Sequence, residues 1–492
     1  MKNIPVVKLG IVAVSRDCFP RTLSENRRNA VVDLYRKAGG EIECIPTIVE
    51  TETDAIKAVA ELNAAQCNAV VIYLGNFGPE GPETLIAKNF DGPAMFVAAA
   101  EDSDLVDNRG DAYCGMLNAS YNIGLRGLMP YIPEYPVGDP KDVAMMIAEF
   151  VPVARVILGI KGLKIITFGP RPYDFLACNA PIKPLYDLGM TVQENSELDL
   201  LLHFQSLEGD PRIKAIEADM AAELGTAGNK MPALLPKLAQ YELALLDWKE
   251  KNIGASQYVA FANKCWPGFQ SGFGFVPCYV NGRFRTKLMP VACEVDIYGA
   301  LSEYIIACAT EIPPTLLDIN NTITKEIYEE DIKGKFNYTM NDTFMGFHCG
   351  NSPVCHTKSP KMGYQLIMYR LNENGKEPNI SRGTLDGDLK DGDITFFRLQ
   401  GTADAKLTSY IAQGEILPVA TRSFGSIGIF AIPEMGRFYR HVLIAKRYPH
   451  HGGVAFAHAG KTLFSAMKML GVEDVAFNQP KSMLYKDENP FA

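Results

Sequence analysis

Short apolar runs separated by helical stretches, each closing on a loop that carries glycine or acid, constrain this chain more than any other feature. Val6-Val7-Lys8-Leu9-Gly10-Ile11-Val12-Ala13-Val14, Ala69-Val70-Val71-Ile72-Tyr73-Leu74 and Pro93-Ala94-Met95-Phe96-Val97-Ala98 are of strand length, and residues 24–38 read as a helix ended by Gly39-Gly40. Strands this apolar need cover on both faces, which a parallel sheet between two helical layers provides. Ligands in such sheets sit beyond the carboxyl ends of the strands. Here those ends are Ser15-Arg16, Gly75-Asn76-Phe77-Gly78 and Glu101-Asp102-Ser103.

The pattern restarts at Leu163-Lys164-Ile165-Ile166-Thr167-Phe168-Gly169-Pro170. A proline-rich stretch, 130–140, and a long apolar helix from about Asp142 to Ile160 connect the two units. The second unit continues through a polar helical region, 212–252, to the strand Tyr258-Val259-Ala260-Phe261-Ala262. From about Ile312 strand signals dominate, including Asp393-Ile394-Thr395-Phe396-Phe397-Arg398-Leu399, Leu407-Thr408-Ser409-Tyr410-Ile411-Ala412 and Ile427-Gly428-Ile429-Phe430, with the turn Leu385-Asp386-Gly387-Asp388 before them. At 492 residues the chain exceeds one core. The predicted class is α/β: two tandem doubly wound parallel-sheet domains, 1–160 and 161–311, followed by a β-rich, barrel-like C-terminal domain, 312–492.

Several functions are excluded early. A net charge of −9 with acidic and basic residues intermixed leaves no basic stripe for nucleic acid. No apolar run approaches the roughly 18 unbroken residues of a membrane span, and Met1-Lys2-Asn3-Ile4-Pro5 starts no export signal. Eleven cysteines without a repeating spacing fit reduced thiols. A cytoplasmic protein without membrane or nucleic-acid partners is expected.

Two carboxylates stand in apolar surroundings: Glu294 in Val291-Ala292-Cys293-Glu294-Val295-Asp296-Ile297-Tyr298, and Asp318 after Pro313-Pro314-Thr315-Leu316-Leu317. Such groups must be paired, protonated or bound to a cation. Glu294 lies three residues before Ile297 on the stripe continued by Leu301, Tyr304, Ile305 and Cys308, so it is expected in the first helical turn, facing inward. There the helix N-terminus favours its anion by roughly 0.3–1 kcal/mol. Asp296 falls on another face, where a solvated or helix-capping role is expected.

Six of seven histidines (His348, His356, His441, His450, His451, His458) lie in the last third of the chain and supply nitrogen ligands. Pro449-His450-His451-Gly452-Gly453 reads as a loop before a strand. His348-Cys349-Gly350-Asn351-Ser352-Pro353-Val354-Cys355-His356 holds two Cys and two His but lacks the paired spacing of a structural zinc site.

Cys265-Trp266-Pro267, Val276-Pro277-Cys278 and the run from Ala292 to Leu301 resemble the central motif of the L-fucose/L-arabinose isomerases. The resemblance implies a manganese-dependent aldose–ketose isomerase with Glu294 as metal ligand and acid/base. It also implies a second catalytic carboxylate 24 residues on, at Asp318 (318 minus 294), and a histidine ligand at His451 in Pro449-His450-His451-Gly452-Gly453-Val454-Ala455-Phe456-Ala457-His458. Asp318 matches the fucose enzymes, whereas His348 matches the extra histidine ligand of the arabinose enzymes, so the substrate does not transfer from either. Phe77 corresponds to an aromatic that the family's first domain places against a neighbouring subunit's sugar. A homo-oligomer, trimer or hexamer, with its active site at the subunit interface is implied.

The expected substrate is a small sugar: a pentose, a 6-deoxyhexose or a 6-substituted hexose. Arg16, Arg21 and Arg171 stand at strand ends, where arginines hold anions, so an anionic sugar such as sulfoquinovose is a candidate. His450, beside the expected ligand, is a further candidate substrate contact. The rival class is a non-catalytic sugar-binding protein, since two tandem α/β domains also describe hinged binding proteins.

Overall fold

The computed structural model describes residues 2–102, 104–368 and 381–491. Ser103, at the end of one expected ligand loop, lies outside them. Contacts divide the chain into two compact units. One is Pro5–Gly159 with Lys461–Gly471, and the other joins Met1–Ile4, Ile160–Gly460 and Val472–Ala492.

The first unit is a parallel sheet of β1 (Leu9–Val14), β2 (Ile42–Cys44), β3 (Ala69–Leu74), β4 (Ala94–Ala99) and β5 (Val137–Gly138), in the order β2-β1-β3-β4-β5. Strands β1, β3 and β4 are buried throughout, as their uninterrupted apolar character requires. The order reverses direction between β1 and β3, which opens a crevice at their carboxyl ends. The fully buried Asn76 ties the two loops there. Its Oδ1 accepts from the backbone N–H of Arg16 (3.0 Å) and Gly78 (3.3 Å), and its amide donates to Ser15 Oγ (2.9 Å).

Among the described residues the helix Pro140–Lys161 is the one long and apolar enough to cross a membrane. Pro152 interrupts it, however, and Val143, Ile147, Phe150, Val153 and Ala154 are buried in the fold, with Phe150 stacked on Tyr131 at 5.4 Å. It packs as a core helix of the first unit.

The second unit begins with a parallel sheet of β6 (Leu163–Phe168), β7 (Thr191–Asn195), β8 (Tyr258–Ala262) and β9 (Val291–Ala292), in the order β7-β6-β8-β9. The polar helical region is two helices, Arg212–Gly228 and Leu235–Asn252. Next comes a mixed sheet of nine strands among the described residues: β10 (Thr315–Asn321), β11 (Thr343–His348), β12 (Lys361–Tyr364), β13 (Arg382–Asp388), β14 (Gly392–Gly401), β15 (Leu407–Ile416), β16 (Ser426–Ala431), β17 (His451–Ala455) and β18 (Asp474–Phe477). The order β16-β11-β10-β17-β14-β15 is closed by an antiparallel β15–β16 pairing. Six strands thus form a ring, the form taken here by the expected barrel-like domain.

The helix Ile297–Thr310 is buried from Ile297 to Ala309 and contacts β6, β8 and β9 as well as β14 and β17. It is apolar around its whole circumference because it has no solvent face. Its one charged side chain, Glu303, pairs with the equally buried Arg285, whose guanidinium also donates to the carbonyls of Asn351 (2.7 Å) and Val291 (3.0 Å). This buried pair therefore fixes β9 and the loop after β11 against one helix.

Candidate active site

The carboxyl ends of β6, β8 and β9 converge with β10, β11 and β17 of the ring. Glu294 lies two residues beyond the end of β9. It does not occupy the first turn of a helix, as its spacing to Ile297 predicts: Asp296 caps the helix by accepting Gly299 N–H at 2.8 Å, and Glu294 lies upstream of that cap. Glu294 and Val295 both adopt left-handed backbone (φ 55° each). That conformation is costly for a β-branched valine, of order 1–3 kcal/mol. It is held by Val295 N–H donating to Asn263 O (2.9 Å) and Asp296 N–H to Cys293 O (3.0 Å). The result is a carboxylate turned inward and 6% exposed.

Asp318 lies on β10 directly opposite His451, the first residue of β17. Cross-strand partners share a face at about 4.5–5.5 Å between Cβ atoms, so the two side chains meet. His451 is therefore a strand residue rather than part of the preceding loop. Its Nε2 is 3.4 Å from Asp318 Oδ1 and 3.4 Å from Glu294 Oε2. His348, the last residue of β11, places its Nε2 3.7 Å from Glu294 Oε2. Both imidazoles are buried, and Glu294 Oε2 and Asp318 Oδ1 are buried oxygens without a hydrogen-bond partner.

Around this centre stands a layer that spacing did not expose. Asp296 Oδ2 lies 2.9 Å from His451 Nδ1, and its two oxygens take a bidentate contact from Arg398 at 2.7 and 2.9 Å. Asp296 is thus a capping residue, as expected, but it is 1% exposed and not solvated. The sequence signal was its place directly before an apolar helix. Nothing local pointed to Arg398, which is itself fully buried on β14. Asn351 donates its amide to Cys293 Sγ at 3.4 Å, and Cys178 Sγ lies 3.8 Å from His451 Nδ1.

The electrostatics follow from these neighbours. Burial raises the Glu294 carboxyl, yet His348 and His451 outweigh it and hold the group well below the usual range. Burial likewise opposes ionisation of Asp296, but Arg398 and His451 keep it charged. Burial disfavours charge on His451, while Asp296, Cys178 and Glu294 overcome it and raise its basicity. His450 goes the other way: burial, reinforced by His451, pushes it down to about 4, so it is neutral at physiological pH.

The remaining candidates fall in two places. The loop after β6 carries Arg171, Phe175 and Cys178, and the Phe175 ring lies 5.4 Å from His450 and 6.4 Å from His451. Arg171 is half-buried, has a buried Nε without a partner, and has no carboxylate partner among the described residues. Arg16, Arg21 and Phe77 belong to the first unit. There the Arg16 guanidinium lies 4.7 Å over the Phe77 ring and 3.6 Å from Glu80, while Arg21 opens an exposed helix start. His356 is drawn away from any cluster with His348: its Nε2 meets Pro313 O at 2.9 Å and its ring stacks on Phe456 at 3.7 Å.

Residues 10–161 match the family model described as fucose/sulfoquinovose isomerase, N-terminal domain, and residues 346–477 match L-fucose isomerase, C-terminal domain. A protein of Priestia megaterium (strain ATCC 12872 / QMB1551) named sulfoquinovose isomerase is 24% identical over 360 residues, 72% of this chain and 74% of that protein. One of the same name from Alkalicoccus urumqiensis is 25% identical over 342 residues, 68% of each. Another, from Clostridium sp. (strain MSTE9), is 29% identical over 203 residues, 39% of this chain and 43% of the relative.

Proposed function

The chain belongs to the fucose isomerase family, and from that premise we propose that it is a divalent-metal-dependent aldose–ketose isomerase acting on an anionic hexose of the sulfoquinovose kind. One observation carries this function: two buried carboxylate oxygens without hydrogen-bond partners among the described residues, Glu294 Oε2 and Asp318 Oδ1, each lie 3.4 Å from the same imidazole nitrogen of His451. Buried acceptors without donors call for a cation. Two carboxylates and an imidazole form a hard oxygen and nitrogen set that fits Mn²⁺ or a similar ion.

Glu294, Asp318 and His451 would hold that ion. When bound, it supplies electrostatic stabilisation for the negative charge that develops as the C2 proton leaves the sugar. Isomerisation moves one proton between C1 and C2 and another between O1 and O2, through a cis-enediol. Of the two carboxylates, one takes the C2 proton while the other serves the hydroxyl oxygens. Asp296 keeps His451 oriented, and Phe175 covers the histidines from the β6 loop.

The names of the relatives support the sulfonated substrate. So does Arg171, a guanidinium without a carboxylate partner among the described residues, on the loop whose Phe175 ring lies 5.4 Å from that of His450. Arg16, Arg21 and Phe77, on the first unit, would serve the site of a neighbouring subunit in a trimer or hexamer.

Incubation with Mn²⁺ and a panel of neutral and anionic sugars in D₂O tests this function by the C2 proton signal. Loss of that signal for sulfoquinovose, prevented by EDTA, is expected. No loss for any sugar would favour a non-catalytic sugar-binding protein.

A further inference from the structure

The two buried imidazoles are held from opposite sides of a hydrogen bond. His451 Nδ1 faces Asp296 Oδ2 at 2.9 Å, and an ionised carboxylate only accepts. Nδ1 therefore keeps its proton, and Nε2, between Glu294 and Asp318, is the nitrogen that offers a lone pair when the ring is neutral. At His348 the arrangement reverses: Nδ1 accepts the backbone N–H of Cys349 at 2.9 Å. A ring nitrogen that accepts leaves the proton of the neutral imidazole on the other one. Turning the ring over would set a C–H against the same N–H, so the backbone fixes the assignment. The nitrogen of His348 that lies 3.7 Å from Glu294 Oε2 is thus an N–H, with no lone pair to offer a cation.

Resting on the isomerase function above, we propose that His348 is not a metal ligand but a hydrogen-bond donor to the substrate, its Nε2–H stabilising an oxygen of the enediolate. His451 is then the one imidazole ligand, beside Glu294 and Asp318. No bond is made or broken at His348. Its contribution is an N–H donor held in place before charge develops.

The test compares the wild-type chain with His348→Gln, His348→Leu and His451→Gln. Mn²⁺ affinity is read by electron paramagnetic resonance of the free ion, turnover with the sugar found by C2 exchange, and the ring tautomer by ¹⁵N spectra of histidine-labelled protein, metal-free and Mg²⁺-loaded. Both His348 variants are expected to keep Mn²⁺ affinity within about threefold, while His451→Gln loses it at least about 100-fold. His348→Leu should lower kcat about 10²-fold with little change in KM, and His348→Gln, whose amide N–H can stand in for Nε2–H, should recover part of that loss. The ¹⁵N signal missing from His348→Gln should report an Nε2–H ring with and without Mg²⁺.

Loss of Mn²⁺ affinity in His348→Leu equal to that in His451→Gln, or an Nδ1–H ring at His348, overturns the proposal. A wild-type chain that neither binds Mn²⁺ nor exchanges C2 protons overturns the isomerase function and the donor role with it. The tautomer in the metal-free protein tells the two failures apart.

Discussion

Asp296 and His451, 155 residues apart in sequence, share a hydrogen bond of 2.9 Å that decides which nitrogen of His451 faces Glu294 and Asp318. The carboxylate is itself held by Arg398, so the imidazole is oriented by a chain of buried charges rather than by packing alone. Carboxylates behind a ligating histidine fix its tautomer and raise its basicity.

Replacing Asp296 by Asn should weaken Mn²⁺ binding about 10–100-fold, because an amide can also present N–H to Nδ1 and no longer enforces the tautomer. It also leaves Arg398 buried without a counter-charge, a loss that costs about 3–5 kcal/mol when a buried pair is broken from one side. A metal titration and a thermal melt check the two effects separately. Unchanged Mn²⁺ affinity would show that Asp296 only caps the helix.

Glu294→Gln keeps the side chain's shape and removes its charge. C2 proton exchange in D₂O should fall by about 10²–10⁴, the range of a lost general acid or base. Exchange at the wild-type rate would exclude Glu294 from proton transfer.

Glu83, in the first unit, is fully buried beneath Gly78, where an added Cβ would come within 2.3 Å of its Oε2. Neither of its oxygens has a partner. Burial, with repulsion from Glu80, pushes the carboxyl from 4.5 to about 8. Between these values the unfolded chain releases a proton that the folded chain keeps. Glu83 therefore contributes stability that is full below pH 4.5, is lost as the pH rises toward 8, and is absent above it. Glu83→Gln should stabilise the protein at pH 8 by about 3–5 kcal/mol and leave it unchanged near pH 4.5, as read from melts at both values. Equal gains at both would contradict a protonated Glu83.

The rhythm of apolar runs made the two parallel sheets legible, since β1, β3, β4, β6 and β8 are buried on both faces and need no partner's pattern to be recognised. The ring was less so. Thr315–Asn321 turns polar after Leu317, and His451–Ala455 is short and carries two glycines; they are strands because they pair with one another. Glu294 was recognised as inward-facing by its distance from Ile297. Its turn was not, because two consecutive left-handed residues depend on hydrogen bonds to Asn263 and Cys293 rather than on local preference.

By itself the sequence determined the α/β class, the resemblance to the isomerases and the residue types of the site, since periodicity and residue chemistry are local properties. The tertiary structure alone decided that Asp318 and His451 face each other across two strands, that Arg398 holds Asp296 charged behind His451, and that His348 accepts at Nδ1. Strand register and the direction of single hydrogen bonds set these relations. Neither exists until distant segments have come together.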